Sequence, residues 1–140
     1  MYGEDLDAPC PMCSMWADGW NALTSPLAEN IDLVLVSSAT PEQNDHLVSE
    51  RGWGSLRFVS EAESSFKSDI GGKDSAGHQM PFISVYHRTA EGPRLAYSGG
   101  AHLRGDHWRG LDLLSPVWHL LDLTPDGRGD WMPSHRQSES

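Results

Sequence analysis

The stretch Ile31-Asp32-Leu33-Val34-Leu35-Val36 does most to limit what this chain can fold into. It is short, nearly all apolar and rich in branched residues, the pattern of a strand buried on both faces in a parallel sheet. Three independent helix-start signals follow at once. Thr40 can cap, Pro41 suits the first helical position, and Gln43 completes a capping box. Leu47 and Val48 give that helix an apolar edge, and Gly52 after Arg51 is a natural stop. A buried strand leading into a well-capped helix predicts an α/β architecture.

Upstream lies Cys10-Pro11-Met12-Cys13, which holds the chain's only two cysteines. Two thiols spaced this way lie within bridging reach across one helical turn. The first sits where free amides of a helix N-terminus favour a thiolate, the form that attacks disulfides. Trp16, Trp20, Leu23 and Leu27 then recur at one-face helical spacing and predict core packing. Pro26 predicts a kink near Ser25 or a fresh turn there, capped by Thr24 or Ser25. Asp18, two turns on from Cys10, is expected to be an exposed helix residue with no role.

Further along, residues 56–59 read as a second short strand, residues 60–67 as a weak helix and residues 68–77 as a glycine-containing loop. Met80-Pro81 introduces a strand at Phe82-Ile83-Ser84-Val85-Tyr86-His87. The turn Thr89-Ala90-Glu91-Gly92 returns it to Arg94-Leu95-Ala96-Tyr97-Ser98, which makes a hairpin. Gly99-Gly100 and Gly71-Gly72 read as turns, and residues 99–110 as a loop. Residues 111–123 have a helical stripe interrupted by Pro116, so two short helical pieces are expected.

At 140 residues the chain is one domain by length. A net charge of −10 argues against nucleic acid and anionic membranes as partners, because both need basic patches. No apolar run is long enough to span a bilayer, and the acidic N-terminus is not a signal peptide. With both cysteines in one motif, a reducing, cytoplasmic setting fits best. No hydrolase elbow, phosphate loop or dinucleotide fingerprint occurs, and no cofactor is expected.

The segment Cys10-Pro11-Met12-Cys13-Ser14-Met15-Trp16-Ala17-Asp18-Gly19-Trp20 resembles the motif of a bacterial thioredoxin-like family, domain of unknown function 899. Leu120-Leu121-Asp122-Leu123-Thr124-Pro125-Asp126-Gly127-Arg128 resembles its closing segment. Ile83-Ser84-Val85-Tyr86-His87-Arg88 with Tyr97-Ser98 is similar to its hairpin. The resemblance implies a thioredoxin-like mixed sheet with helices on both faces, and a thiol–disulfide oxidoreductase. Cys10 would attack and Cys13 resolve, with a protein or small-molecule disulfide as substrate. It also implies a cis Pro81 that leaves the backbone of Met80 free to pair with substrate. Such folds place a central strand before the Cys-x-x-Cys, yet Met1 to Pro9 has no strand pattern. A truncated form, a strand donated by a second copy, or a rearranged sheet would each account for that.

Two other readings stay open. Cys10 and Cys13 with His102 and His107 have pair spacings found in zinc sites. A non-catalytic domain that keeps its cysteines without the sheet centre is the other. The expected organisation is a flexible segment over residues 1–9, a thioredoxin-like domain over 10–123 and a disordered tail over 124–140.

Overall fold

The computed structural model describes residues 8–100 and 115–133. The chain divides into two compact units, residues 1–66 with 129–140, and residues 67–128. In the first, α1 (Pro11–Ala28) leads to β1 (Val34–Ser37), α2 (Pro41–Arg51) and β2 (Arg57–Ser60). β1 and β2 pair in parallel, Val34 opposite Arg57 and Ser37 opposite Ser60.

Local chemistry explains α2. The Thr40 hydroxyl accepts from the Gln43 amide at 3.3 Å, and the Gln43 side chain accepts from the Thr40 amide at 2.9 Å. The cap satisfies two amides that the helix itself leaves open. At the other end Gly52 adopts φ 67°, which a side chain would strain, and closes the helix. Only one face of α2 is apolar, and Leu47 on it is fully buried.

The core of this unit is Ala17 of α1, Leu35 of β1, Leu47 of α2, and Trp53 and Leu56 before β2. Trp20, Leu33, Val48 and Phe58 pack around it, and the Trp53 and Phe58 rings stack with centroids 5.7 Å apart. Trp16 and Trp20 stack along α1. The buried part of α1 is Met12, Ser14, Trp16 and Ala17, so the apolar stripe fades toward its C-terminus, where Leu23 is 48% exposed. α1 does not restart at Pro26 but runs through it. Pro26 leaves the Ala22 carbonyl without its helical donor, while the Thr24 hydroxyl donates to the Asn21 carbonyl at 2.9 Å.

Residues 60–67 do not form the expected helix. Ser60 ends β2 and donates to the Ala39 carbonyl, and the Glu61 amide donates to Ser37 of β1. These bonds extend the strand ends instead. The only helix here is a single turn, α3 (Phe66–Asp69).

The second unit holds an antiparallel hairpin, β3 (Phe82–Thr89) and β4 (Gly92–Gly100), and the short α4 (Pro116–Asp122). A bulge between Val85 and Tyr86 shifts the register. At the turn, the Thr89 hydroxyl donates to the Gly92 carbonyl at 2.7 Å, and Gly92 takes a φ of 115°. Gly99 and Gly100 are not a turn. They extend β4 opposite Ile83 and Phe82, and a Cβ on Gly99 would come within 2.8 Å of the Tyr97 hydroxyl. Pro116 occupies the first position of α4, where its missing N–H costs nothing, so the second of the two expected helical pieces is present; residues 111–114, where the first was expected, lie outside the described residues. After α4, the Arg128 guanidinium lies 4.3 Å from the centroid of the fully buried Trp118 ring.

The chain is therefore mixed α and β, and its described residues hold one parallel and one antiparallel pair of strands. The single mixed sheet expected from sequence is not formed among the described residues. Residues 1–7, ahead of Cys10, lie outside the described residues. Among the described residues no helix is long and apolar enough to cross a membrane.

Candidate functional site

Cys10 is the N-cap of α1, with φ −62° and ψ 124°, just outside helical geometry. Pro11 takes the first helical position, where its missing N–H leaves one fewer unpaired amide at the helix start. The amides of Met12 and Cys13 remain as donors at this end, and both stabilise the Cys10 sulfur as a thiolate. Ser14 fixes the turn from below, since its amide and its hydroxyl donate to the Cys10 carbonyl at 3.0 and 3.1 Å. Ser14 is itself buried, so the first turn is held against the interior.

The two sulfurs are free thiols, each half-buried, and they differ sharply. The Cys13 thiol donates to the Cys10 sulfur, and this bond, helped by the backbone donors and opposed by burial, brings the Cys10 pKa down to about 5. The same bond and the burial of Cys13 push the Cys13 thiol well above the usual range. No acidic side chain lies in the first turn to oppose the thiolate. One sulfur is thus a nucleophile near neutral pH while its neighbour holds a proton.

Below the motif, α1 is clamped to the connection between α2 and β2. Asp18 accepts from the Trp53 indole N–H at 2.8 Å and pairs with the Arg51 guanidinium at 2.6 Å. Asn21 adds a bond from the Ser55 amide at 3.3 Å. Asp18 therefore has a partner set that the sequence reading missed. Its partners lie more than 30 residues away and leave no local spacing to read. The one available signal was Trp53, whose indole needs an acceptor once buried.

The other expected site residues fall elsewhere. Met80 and Pro81 belong to the second unit, and the Met80–Pro81 bond is trans, not cis. Trans is the ordinary preference of an X–Pro bond, and Pro81 sits just before β3, where a strand tolerates it. Nor is the Met80 amide free for a substrate strand, because it donates to the Gly72 carbonyl at 2.9 Å. His102 and His107 lie outside the described residues. Among the described residues no three His, Cys, Asp or Glu side chains form a group able to hold a metal ion.

A buried polar network closes the carboxyl ends of β1 and β2. The Ser37 hydroxyl donates to Asn44 at 2.6 Å, and the Ser38 hydroxyl donates to the buried Glu61 carboxylate at 2.5 Å. It ties the loop after β1 to the loop after β2.

A family model described as "Bacterial protein of unknown function (DUF899)" matches residues 1–139. The chain belongs to this family. No curated protein and no solved structure matches the chain. Family membership thus brings no activity with it, and the chemistry of this DUF899 chain is argued from its own cysteines.

Proposed function

We propose that this protein is a thiol–disulfide oxidoreductase with a thioredoxin-like arrangement, acting through Cys10 and Cys13. The observation that carries the reading is the asymmetry of the pair, a Cys10 thiolate at the start of α1 beside a protonated Cys13. The order of elements supports it, with a Cys-x-x-Cys opening α1, a parallel strand pair, then an antiparallel hairpin and a last helix.

In the reductive direction, the Cys10 thiolate attacks one sulfur of a substrate disulfide. A Cys10–substrate bond forms as the substrate S–S bond breaks, and one substrate thiolate leaves. Cys13 then gives its proton to solvent and attacks the Cys10 sulfur, which releases the second substrate thiolate. The protein ends with a Cys10–Cys13 disulfide, oxidised by two electrons, and the substrate is reduced by two. A reducing compartment such as the cytoplasm would return the pair to dithiol.

The test is a single turnover with pre-reduced protein and bis(2-hydroxyethyl) disulfide at neutral pH, read by mass spectrometry. Wild type should lose two hydrogens, Cys13→Ser should retain a mixed disulfide on Cys10, and Cys10→Ser should stay inert. A wild-type rate no higher than that of free cysteine sinks the reading. Zinc bound stoichiometrically to both thiols would replace it with a metal site.

A further inference from the structure

The chain's charge is divided between its two units in an uneven way. The unit bearing the cysteines, residues 1–66 with 129–140, holds thirteen acidic and three basic side chains, a net of −10. The other, residues 67–128, holds seven of each and is formally neutral. The whole net charge of the protein therefore sits on the half that carries Cys10 and Cys13.

Much of that charge faces solvent. Glu42, Asp45 and Glu50 are exposed on α2, and Glu29, Asp32 and Glu63 are exposed in the connections around it. Of the basic residues, Arg51 is neutralised by Asp18. The immediate surroundings of the thiol are different: Cys10 is the N-cap of α1, no acidic side chain lies in the first turn, and the Met12 and Cys13 backbone favours the thiolate. The sulfur is thus kept reactive by short-range donors while anything approaching it meets the long-range field of an acidic unit. A compact body the size of the unit's described residues, 8–66 and 129–133, has a radius of gyration of about 11 Å. The Debye length is about 30 Å at 0.01 M salt and about 3 Å at 1 M, so at low salt the charges of those residues act together on an incoming molecule.

We infer that the dithiol of this protein selects positively charged disulfides, small or peptidic, and disfavours anionic ones. The inference rests on the oxidoreductase reading and names its substrate class. The selection acts on encounter, on top of the leaving-group differences that each disulfide brings to the exchange step itself.

Salt dependence separates this from differences in leaving-group chemistry. Pre-reduced protein would be mixed, at pH 7.5 and at 0.01 and 1 M salt, with cystamine, bis(2-hydroxyethyl) disulfide and dithiodiglycolate. A matched pair of cystine peptides, flanked by lysines or by glutamates, tells whether peptides share the preference of small disulfides. The cationic probes should slow by about threefold or more as salt rises, the anionic probes should speed up by a similar factor, and the neutral probe should change little. Asp45→Lys with Glu50→Lys, both exposed on α2 and outside the Cys-x-x-Cys motif, should shrink the two opposite slopes and leave the neutral rate alone. Flat or same-sign slopes for cation and anion, with a fast neutral reaction, overturn the charge selection and leave the oxidoreductase reading standing. No reaction with the neutral probe above that of free cysteine overturns both.

Discussion

The carboxylate of Asp18 accepts the indole N–H of Trp53 at 2.8 Å, joining the Cys-x-x-Cys helix to the turn that follows α2. Trp53 is only 1% exposed, so its N–H has no water to fall back on. Asp18→Ala should cost about 1–3 kcal/mol, the penalty of a buried donor left unmade. Asp18→Asn keeps an oxygen acceptor and should cost less. Arg51→Ala removes the ion pair with Asp18 and the guanidinium stacked over the Trp53 ring but leaves the indole bond intact, and should cost about 1 kcal/mol. Urea unfolding of the three variants checks the order, and an Asp18→Ala protein as stable as wild type would show that the indole bond contributes nothing.

The Cys13 thiol is the largest single cause of the low Cys10 pKa, ahead of the backbone amides. Cys13→Ala should therefore move the midpoint of Cys10 alkylation up from about 5 toward the ordinary thiol value of about 8.5. Cys13→Ser, which keeps a hydroxyl donor, should fall between. The readout is the rate of iodoacetamide labelling against pH. If both variants keep the wild-type midpoint, the helix amides alone set it.

What could be read from the sequence was what the chain states locally. Thr40, Pro41, Gln43 and Gly52 fixed both ends of α2 because each acts within four residues of itself. The hairpin was legible from branched runs and one turn, and so was a parallel strand in the run Ile31–Val36, though β1 begins three residues later and runs to Ser37. Gly99 and Gly100 misled because glycine was read as a turn former, whereas here it lets Tyr97 lie across the strand. Pro116 marked the start of α4, because a proline is tolerated at the first helical position and not in the interior. At the site, the spacing of Cys10 and Cys13 was local and visible. The clamp of Asp18 on Trp53 and the Met80 amide bond to Gly72 depend on residues brought together only by folding.

The capping box of α2 gives a cleaner stability test than the site. Thr40→Ala removes the acceptor of the Gln43 amide and should cost about 1 kcal/mol. Thr40→Ser should be close to neutral, since the hydroxyl survives. Leu47→Ala, on the buried face of the same helix, should cost about 2–5 kcal/mol through transfer and cavity terms. Denaturant midpoints would rank the three. A Thr40→Ala loss as large as that of Leu47→Ala would mean the cap holds more than its own helix.

The two cysteine shifts also set how stability of the reduced protein changes with pH, and they act in opposite directions. Cys10 has a folded pKa of about 5 against about 8.5 in the unfolded chain, so between those values the unfolded state holds a proton that the folded state has lost. Stability from this group therefore rises with pH across that window and is lost as pH falls through about 5. Cys13 is held above its unfolded value, so above about pH 8.5 the folded state keeps a proton that the unfolded state releases, and stability falls as pH rises. The reduced protein should pass through a stability maximum near pH 8.5 relative to a Cys10→Ala, Cys13→Ala double variant. The lowered carboxyls of Glu42 and Asp74 are common to both proteins and cancel in the difference. Urea midpoints at intervals from pH 5 to 10 give the difference curve, and a flat curve would show that the thiols are not asymmetric in the folded chain.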